Sequence, residues 1–211
     1  MVTAGFASPV VAFGAGLAAA FGFAGAGAAA AGFAAAAGLA AAAGLAAASG
    51  WITTRFMAGL APKAVYCLET NPRGSWYAHG AAANAIFEFE AGVVFNYRGS
   101  WCAEGANTSW EAAWRIIGTK GTLLWDGAES FEAKVVGSTD GFLRDVTPIA
   151  VPEPADIAQT HGHASVIAEF LDAIAAGRPP ETASSDNIHS LAMVLAAIES
   201  GRTGQRVLIA S

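Results

Sequence analysis

The sequence predicts an α+β fold: a largely antiparallel open sheet with helices packed on one face, preceded by an Ala/Gly-rich head that is helical or disordered. Three observations predict it. Residues 1–54 carry no charged side chain and are mostly Ala and Gly. Residues 63–150 alternate apolar and polar side chains at the strand period of two. Residues 161–209 hold two amphipathic helices, so strands precede helices, as in α+β domains.

The head contains a six-residue repeat, which runs from Gly32 as GFAAAA, GLAAAA and GLAAAS. On a helix, successive glycines of this repeat lie about 240° apart and mark no single face. Alanine favours a helix, whereas each glycine costs roughly 1 kcal/mol. The fragment from Pro9 to Ala19 is similar to a strand followed by GxGxxA, but no acidic residue follows before Glu69. A chance match is therefore favoured over a dinucleotide site.

The central part predicts hairpins. A short strand at 64–68 precedes a strand in which Ala85, Phe87 and Phe89 alternate with more polar positions. Ala91-Gly92 predicts a tight turn into a strand with one apolar face, and the apolar residues of that strand are Val93, Phe95, Tyr97, Gly99 and Trp101. A second hairpin is predicted from 110–117 and 121–125. Further strands are predicted at 132–136 and 146–151.

The C-terminal part predicts two helices and an edge strand. The first helix has an apolar stripe and ends at Gly177, because Pro179-Pro180 prevents its continuation. Ser184 or Ser185 is expected to cap the second helix, which should stop at Gly201. A final edge strand is predicted at 206–209. The stripe of the first helix is Val166, Ile167, Phe170, Leu171 and Ile174, and the stripe expected to be buried in the second is Ile188, Leu191, Leu195 and Ile198.

Composition excludes some functions. The net charge is −6, and only 11 Lys and Arg residues occur. They are scattered, which argues against nucleic-acid binding. Cys67 and Cys102 lack metal-ligand spacing, so two reduced core thiols in a cytoplasmic protein are expected. The head is long enough to span a membrane, but Ala and Gly supply little transfer free energy and no basic cluster sets an orientation. A membrane location is therefore not favoured.

Several polar and aromatic residues are candidates for a site. Asn96, Arg98, Ser100, Glu104 and Arg115 could line a substrate cleft, although a solvated face or a face paired with a second subunit is favoured for each one. Trp76, Tyr77 and His79 lie in a loop and could form an aromatic rim for a sugar-like ligand, or simply anchor the loop. His161 and His163 precede a helix, where capping or substrate contact is favoured over metal binding, since no carboxylate converges with them.

A series of motifs in this order resembles the C-terminal domain of the glucose–fructose oxidoreductase / inositol dehydrogenase / MocA (Gfo/Idh/MocA) family. The motifs are WRIIGTKGTLLWDG at 114–127, His163 with IAEFLDAI at 167–174, GRPPET at 177–182, Asp186-Asn187, SLAMV at 190–194 and IES at 198–200. The resemblance covers roughly residues 50–210. It implies a substrate and dimerisation domain at 51–211. The head, residues 1–50, then stands in place of a Rossmann domain, as a remnant or as a product of a shifted reading frame.

The resemblance implies an NAD(P)-dependent sugar or polyol dehydrogenase that forms a homodimer through its bare sheet face. Family members transfer the substrate proton with a Lys from a Glu-Lys-Pro motif and with an Asp and a His on the helix that opens the second domain. Here no Glu-Lys-Pro occurs. Arg55, Phe56 and Gly59 fit the helix motif, but Ser49 and Ile52 stand at the His and Asp positions. A shift by one residue places Gly50 or Thr53 there instead, and neither register restores a proton-transfer group.

We therefore assign no catalytic, cofactor-binding or metal residue. NAD(P) binding by this chain is doubtful, and we expect the chain alone to be inactive. If a partner supplies the cofactor, the candidates for substrate contact are Trp76, Tyr77, His79, Arg98, Trp110 and His163. The alternative function is that of a non-enzymatic, self-associating sheet domain.

Overall fold

A computed structural model describes residues 53–109, 111–137, 141–152, 162–181 and 183–210. The predictions about the head, and those for Trp110, Ser49, Ile52 and His161, lie outside these residues. Within them the chain forms strands and a few helices, which confirms the α+β class. The strands are β1 (Pro62–Thr70), β2 (Ala82–Phe89), β3 (Val94–Ser100), β4 (Trp114–Ile117), β5 (Gly121–Trp125), β6 (Phe131–Val136), β7 (Val146–Ile149) and β8 (Val207–Leu208). The helices are α1 (residues 53–58), α2 (Gly162–Ala176) and α3 (Ser184–Thr203).

The described strands form two antiparallel four-stranded sheets. Sheet 1 has the order β3-β2-β1-β8, and sheet 2 has the order β4-β5-β6-β7. The described residues between Thr108 and Arg178 form one compact unit, which contains sheet 2 and α2. Those before Thr108 and after Arg178 form the other, which contains α1, sheet 1 and α3. Both predicted hairpins and the final edge strand are confirmed.

The turn between β2 and β3 lies where the sequence predicts it. Ala91 has φ +54° and Gly92 has φ +73°. The Phe89 N–H donates to the Val93 carbonyl oxygen at 2.8 Å. Two successive residues with positive φ are what a type I′ turn requires, and the twist of this turn matches that of the flanking strands. Glycine adopts this conformation freely, whereas Ala91 adopts it at a steric cost.

Helix α3 packs on one face of sheet 1, mainly against β1. Four of the five side chains that it buries there are small, and the fifth is Met193; the small ones are Ser190, Ala196, Ala197 and Ser200. The predicted buried stripe of Ile188, Leu191, Leu195 and Ile198 is exposed, so that prediction is wrong. Small residues let the helix backbone approach the strand closely, and they form the packing face instead. The core beneath α3 also includes Val65, Cys67, Phe87 and Phe89.

The ends of the helices differ in part from the predictions. Helix α2 ends before Gly177, as predicted, and Gly177 adopts φ +62°. The N-cap of α3 is Ala183, which makes no side-chain capping bond, so neither Ser184 nor Ser185 is the cap. The helix continues past Gly201 to Thr203 and ends at Gly204 in the left-handed conformation. The chain leaves the helix toward β8 only at Gly204, where the positive φ allows the turn, so Gly201 lies inside the helix.

One face of sheet 2 is more buried than the other, which is open. Leu123 and Ala133 form the buried centre, and Ile116, Phe131 and Ile149 pack around them. Trp125 stacks on Phe131, with ring centroids 5.5 Å apart and the planes within 1° of parallel. Arg115, Leu124 and Glu132 share one cross-strand row on the opposite face. The alternation of burial along β4 and β5 follows the predicted period of two.

Candidate functional site

Arg55 fixes helix α1 to helix α3. Its Nη1 donates to Asp186 Oδ1 at 2.9 Å, its Nη2 contacts Asp186 Oδ2, and its Nε donates to Ser190 Oγ at 3.0 Å. This paired geometry is the strong form of an Arg–carboxylate interaction. The hydrogen bond from Arg55 holds the pKa of the Asp186 carboxyl below its usual value. Gly59, at φ +60°, then ends α1, and its N–H donates to the Arg55 carbonyl oxygen.

Ser200 connects α3 to both neighbouring strands of sheet 1. Its Oγ accepts a hydrogen bond from the Cys67 N–H at 2.8 Å and donates to the Gln205 carbonyl oxygen at 2.6 Å. Strand β8 pairs with β1 only at Ala64 and Val65, so the Cys67 N–H lies beyond the reach of that ladder. The serine hydroxyl therefore continues the edge pairing of β1. Ser200 and Asp186 belong to the family-like motifs of the sequence, but no local pattern indicates the hydrogen bonds that Ser200 makes.

Three of the candidate residues share the loop between β1 and β2, residues 71–81, which we call the aromatic loop. The rings of Trp76 and Tyr77 have centroids 5.4 Å apart with the planes at 30°. Trp76 is 69% exposed, Tyr77 is partly buried and His79 is exposed. Asn71 Nδ2 donates to the Tyr77 carbonyl oxygen at 2.9 Å. Trp76 is thus an exposed indole on a hydrogen-bonded loop.

Arg98 lies near the same end of sheet 1 as the aromatic loop. It is on β3 opposite Asn84, which in turn pairs with Leu68 on β1. The Trp101 N–H donates to the Ala81 carbonyl oxygen at 2.8 Å and closes this end of the sheet. Arg98 is exposed on the face away from α3, which we call the open face of sheet 1. Asn96 and Ser100 lie on the same face, as predicted, whereas Glu104 is exposed in the following loop.

The open face of sheet 1 combines apolar and polar side chains. Its exposed apolar side chains are Tyr66, Leu68, Ile86, Val94 and Leu208. Glu88 on β2 forms an ion pair with Arg206, and the two Arg206 nitrogens donate to the carboxylate at 2.6 and 2.7 Å. This pair crosses β1, which lies between β2 and β8. Arg206 holds the pKa of the Glu88 carboxyl below its usual value by hydrogen bonding.

The open face of sheet 2 carries two shallow depressions of about 360 and 440 Å³. Arg115, Leu124 and Glu132 line both of them. Lys134 Nζ lies 2.5 Å from Glu132 Oε1, so part of the charge on this face is already paired. Arg115 is exposed here, in the other compact unit from Arg98.

The remaining candidates lie in the unit that contains sheet 2. His163 is in the first turn of α2, and Trp110 falls in a gap of the described residues. No group of three His, Cys, Asp or Glu side chains within the described ranges could hold a metal ion. Cys67 and Cys102 are both free thiols, but only Cys67 is buried. Burial, with a contribution from Glu69, raises the pKa of Cys67 to about 11.

The described part of the chain offers no dinucleotide cradle. All strand pairs there are antiparallel, and no strand leads through a glycine-rich turn directly into a helix. A strand–turn–helix unit is the arrangement that holds the pyrophosphate of NAD(P). In the same residues no helix is both long and apolar enough to cross a membrane.

Together these features define a class: an antiparallel α+β domain with one sheet backed by a helix and exposing its other face. Comparison with protein families then identifies it, since residues 56–209 match the family described as "Oxidoreductase family, C-terminal alpha/beta domain". The chain belongs to this family, and the resemblance to the Gfo/Idh/MocA proteins is confirmed. A comparison with curated protein sequences gives no significant match.

Solved structures share this fold at low sequence identity. An oxidoreductase domain protein from Kribbella flavida is 19% identical with a TM-score of 0.59, over 78% of this chain and 50% of that one. The aldose-aldose oxidoreductase of Caulobacter crescentus, complexed with glycerol, is 19% identical with a TM-score of 0.55, over 79% and 45%.

An oxidoreductase from Agrobacterium radiobacter, in complex with NAD⁺, L-tartaric acid and magnesium, is 16% identical with a TM-score of 0.58, over 77% and 47%. The chain thus spans about half the length of these proteins.

Proposed function

We propose that residues 51–211 form the substrate domain of an NAD(P)-dependent oxidoreductase that acts on a small polyhydroxylated alcohol such as a sugar or polyol. The family match over residues 56–209 carries this proposal. Similar structures contain glycerol in one case and NAD⁺ with L-tartaric acid in another, both hydroxylated ligands. In such a reaction the substrate carbon gives a hydride to the nicotinamide, and its hydroxyl group gives a proton to a base.

The proposed role of this chain is to hold the alcohol rather than to take its proton. Arg55 and Gly59 keep the family pattern and stabilise the fold. Arg55 binds Asp186, and Gly59 ends α1. The family positions for the proton-transfer His and Asp hold Ser49 and Ile52, and neither side chain is a base near neutral pH. We expect the nucleotide to be supplied by another domain or partner, and the chain alone to give no turnover.

The substrate contacts that we propose in the unit that contains sheet 1 are Trp76, Tyr77, His79 and Arg98. Trp110 and His163 are separate proposals for the other unit. An exposed indole, tilted by 30° against a neighbouring tyrosine ring, offers the apolar faces of a sugar a flat partner. Arg98 and His79, which lie at the same end of sheet 1, offer donors to hydroxyl groups. Asn71 Nδ2 donates to the Tyr77 carbonyl oxygen and the Tyr77 N–H donates to Ser75 Oγ, and these bonds fix the backbone of Tyr77 within the loop.

Two assays test the proposal on the purified full chain. In the first, NAD⁺ or NADP⁺ is mixed with the chain and a panel of aldoses and polyols, and absorbance at the reduced-nicotinamide band is followed. We expect no turnover; cofactor-dependent turnover would contradict the assignment of the chain as a substrate domain only.

The second assay is saturation-transfer NMR with the same panel. We expect ligand signals that are lost in Trp76→Ala and Arg98→Ala. Phe142→Ala is the matched control, since Phe142 is an exposed aromatic residue in the other unit. Unchanged signals in all three variants would refute the aromatic-loop site.

The open face of sheet 1 favours a second, non-enzymatic function: self-association into a homodimer. Tyr66 pairs directly with Ile86 across β1 and β2, and both are exposed. Val94 is 54% exposed on the neighbouring strand. A contiguous apolar area on a sheet face is typical of an interaction surface. A two-fold symmetric pairing would place this face against its own copy.

Sedimentation at micromolar concentration tests the dimer. We expect a dimer for the wild-type chain and a monomer for Ile86→Arg, because the substitution would bury an unpaired charge in the interface. Phe142→Arg is the control and should remain dimeric. A wild-type chain that is monomeric across this range would rule out self-association through this face.

A further inference from the structure

Glu69 continues a line of buried side chains on strand β1. Strand alternation places it on the face toward α3, which is also the face of Val65 and Cys67. Those two side chains are buried, whereas Glu69, near the end of the strand that leads into the aromatic loop, is exposed. A carboxylate therefore lies where the packed face of sheet 1 ends and the aromatic loop begins.

The side chain of Glu69 occupies space that two glycines leave open. A Cβ atom at Gly80, in the aromatic loop, would overlap Oε1, Cδ and Cγ of Glu69. A Cβ atom at Gly201 on α3 would lie 3.6 Å from the Cβ of Glu69. The φ angle of Gly80 lies outside the left-handed region, so its backbone conformation would accept another residue. The side chain of Glu69 is therefore what requires a glycine at position 80.

The Glu69 carboxylate is available to a ligand. Across the described parts of the chain, no ion pair or side-chain hydrogen bond involves it. By contrast, the carboxylates of Glu88, Asp186 and Glu199 are each paired with an arginine. The residue opposite Glu69 on β2 is Ala83, which is small. A carboxylate with open acceptor sites thus lies at the base of the aromatic loop.

This carboxylate complements the donors of the aromatic loop. The indole N–H of Trp76 only donates, and a carboxylate only accepts. His79, the residue before Gly80, donates through one ring nitrogen when it is neutral. Each hydroxyl group of a sugar or polyol both donates and accepts, so a site that holds several of them needs acceptors as well as donors. The two oxygens of one carboxylate can accept from two neighbouring hydroxyl groups.

We infer that Glu69 is the hydroxyl acceptor of the aromatic-loop site, and that its carboxylate binds adjacent hydroxyl groups of the ligand. Gly80 is then the position that leaves room for this acceptor. The inference rests on the proposed function as a substrate domain, and it adds to that function a residue that touches the ligand and the ligand groups that it recognises.

Titration of the purified full chain with D-glucose and with D-sorbitol, followed by saturation-transfer NMR, tests the inference. Glu69→Gln keeps the size of the side chain but removes its charge and one acceptor, so we expect dissociation constants roughly tenfold higher than for the wild type. Glu90→Gln is the matched control, because Glu90 is also exposed but lies in the turn at the opposite end of sheet 1. Its dissociation constants should equal those of the wild type.

Two outcomes separate this inference from the proposed function. Equal dissociation constants for the wild type and Glu69→Gln would overturn the inference and leave the substrate-domain proposal in place. A wild-type chain that binds neither compound would overturn both.

Monodeoxy derivatives of D-glucose test the contact with hydroxyl groups directly. At least one derivative should bind the wild type more weakly than D-glucose does, whereas Glu69→Gln should bind that derivative and D-glucose equally, since the acceptor is already lost. Derivatives that lose affinity by the same factor in both proteins would show that Glu69 contacts no hydroxyl group.

Gly80→Ala tests the position of the acceptor. Its added methyl group takes the place of the Glu69 carboxyl group, so it should weaken binding about as much as Glu69→Gln. The double variant should bind no more weakly than either single variant, because both changes remove the same contact. Losses that add in the double variant would refute an acceptor held beside Gly80, and circular dichroism verifies that each variant is folded.

Discussion

Replacing Ser200 with alanine removes the hydroxyl group that joins α3 to sheet 1. The hydroxyl makes two hydrogen bonds and is fully buried, at 0% exposure. Without it, the Cys67 N–H has no acceptor in a buried position, and an unsatisfied buried donor costs about 1–3 kcal/mol. Loss of the hydrogen bond to the Gln205 carbonyl oxygen costs less free energy, because Gln205 is exposed and water can replace the hydroxyl. The higher helix propensity of alanine offsets roughly 0.5 kcal/mol of this loss in stability.

We therefore expect Ser200→Ala to lower the free energy of unfolding by about 1.5 kcal/mol. Thr203→Ala is the matched control. Thr203 Oγ1 also makes one hydrogen bond within α3, to the Glu199 carbonyl oxygen, but it is exposed. Its loss should change the stability by less than about 0.5 kcal/mol.

Urea unfolding followed by circular dichroism measures both variants. With a slope near 2 kcal/mol/M, the midpoint for Ser200→Ala should fall by roughly 0.7 M, and that for Thr203→Ala should barely move. Native-state hydrogen exchange provides a local measurement, since the Cys67 amide should exchange faster only in Ser200→Ala. The same midpoint for both variants, with an unchanged Cys67 amide, would show that Ser200 does not hold the edge of β1.

Three further predictions follow from single residues. Arg55→Met should lower the free energy of unfolding by about 1 kcal/mol at neutral pH. Because the folded pKa of Asp186 is depressed, this stabilisation is present above the unfolded pKa of about 3.9 and disappears as pH falls through the folded value. Wild-type and variant unfolding curves that differ equally at pH 7 and pH 3 would contradict the ion pair. Ala91→Asn should stabilise the β2–β3 turn by roughly 0.5–1 kcal/mol, while Ala91→Val should destabilise it, as thermal unfolding can measure. At pH 8.5 a disulfide reagent should modify Cys102 in the native chain and Cys67 only after unfolding, because burial raises the pKa of Cys67 to about 11; rapid modification of both thiols would exclude a buried Cys67.

The candidate site was predictable only in part. The aromatic residues at 76 and 77 and Arg98 are visible in the sequence, because exposed aromatic and charged residues in a loop or on a polar strand face stand out locally. That Arg98 lies at the same end of the sheet as the aromatic loop depends on the register of three strands. The contact between Arg55 and Asp186 joins residues 131 positions apart, and no local pattern indicates it.

The sequence by itself determined the class of each element: alternation at period two marked the hairpins, Ala91-Gly92 marked a turn, and Gly177 with its prolines ended α2. Only the tertiary structure decided which side of α3 is buried. Periodicity pointed to Ile188, Leu191, Leu195 and Ile198, since their spacing places these Leu and Ile side chains on one side of the helix. The side of α3 that packs on sheet 1 carries mostly small side chains, which let the helix lie close to the strand, and Ser200 must face the strand to accept from the Cys67 N–H. Contact distance and hydrogen bonding between distant segments therefore outweighed the local hydrophobic pattern.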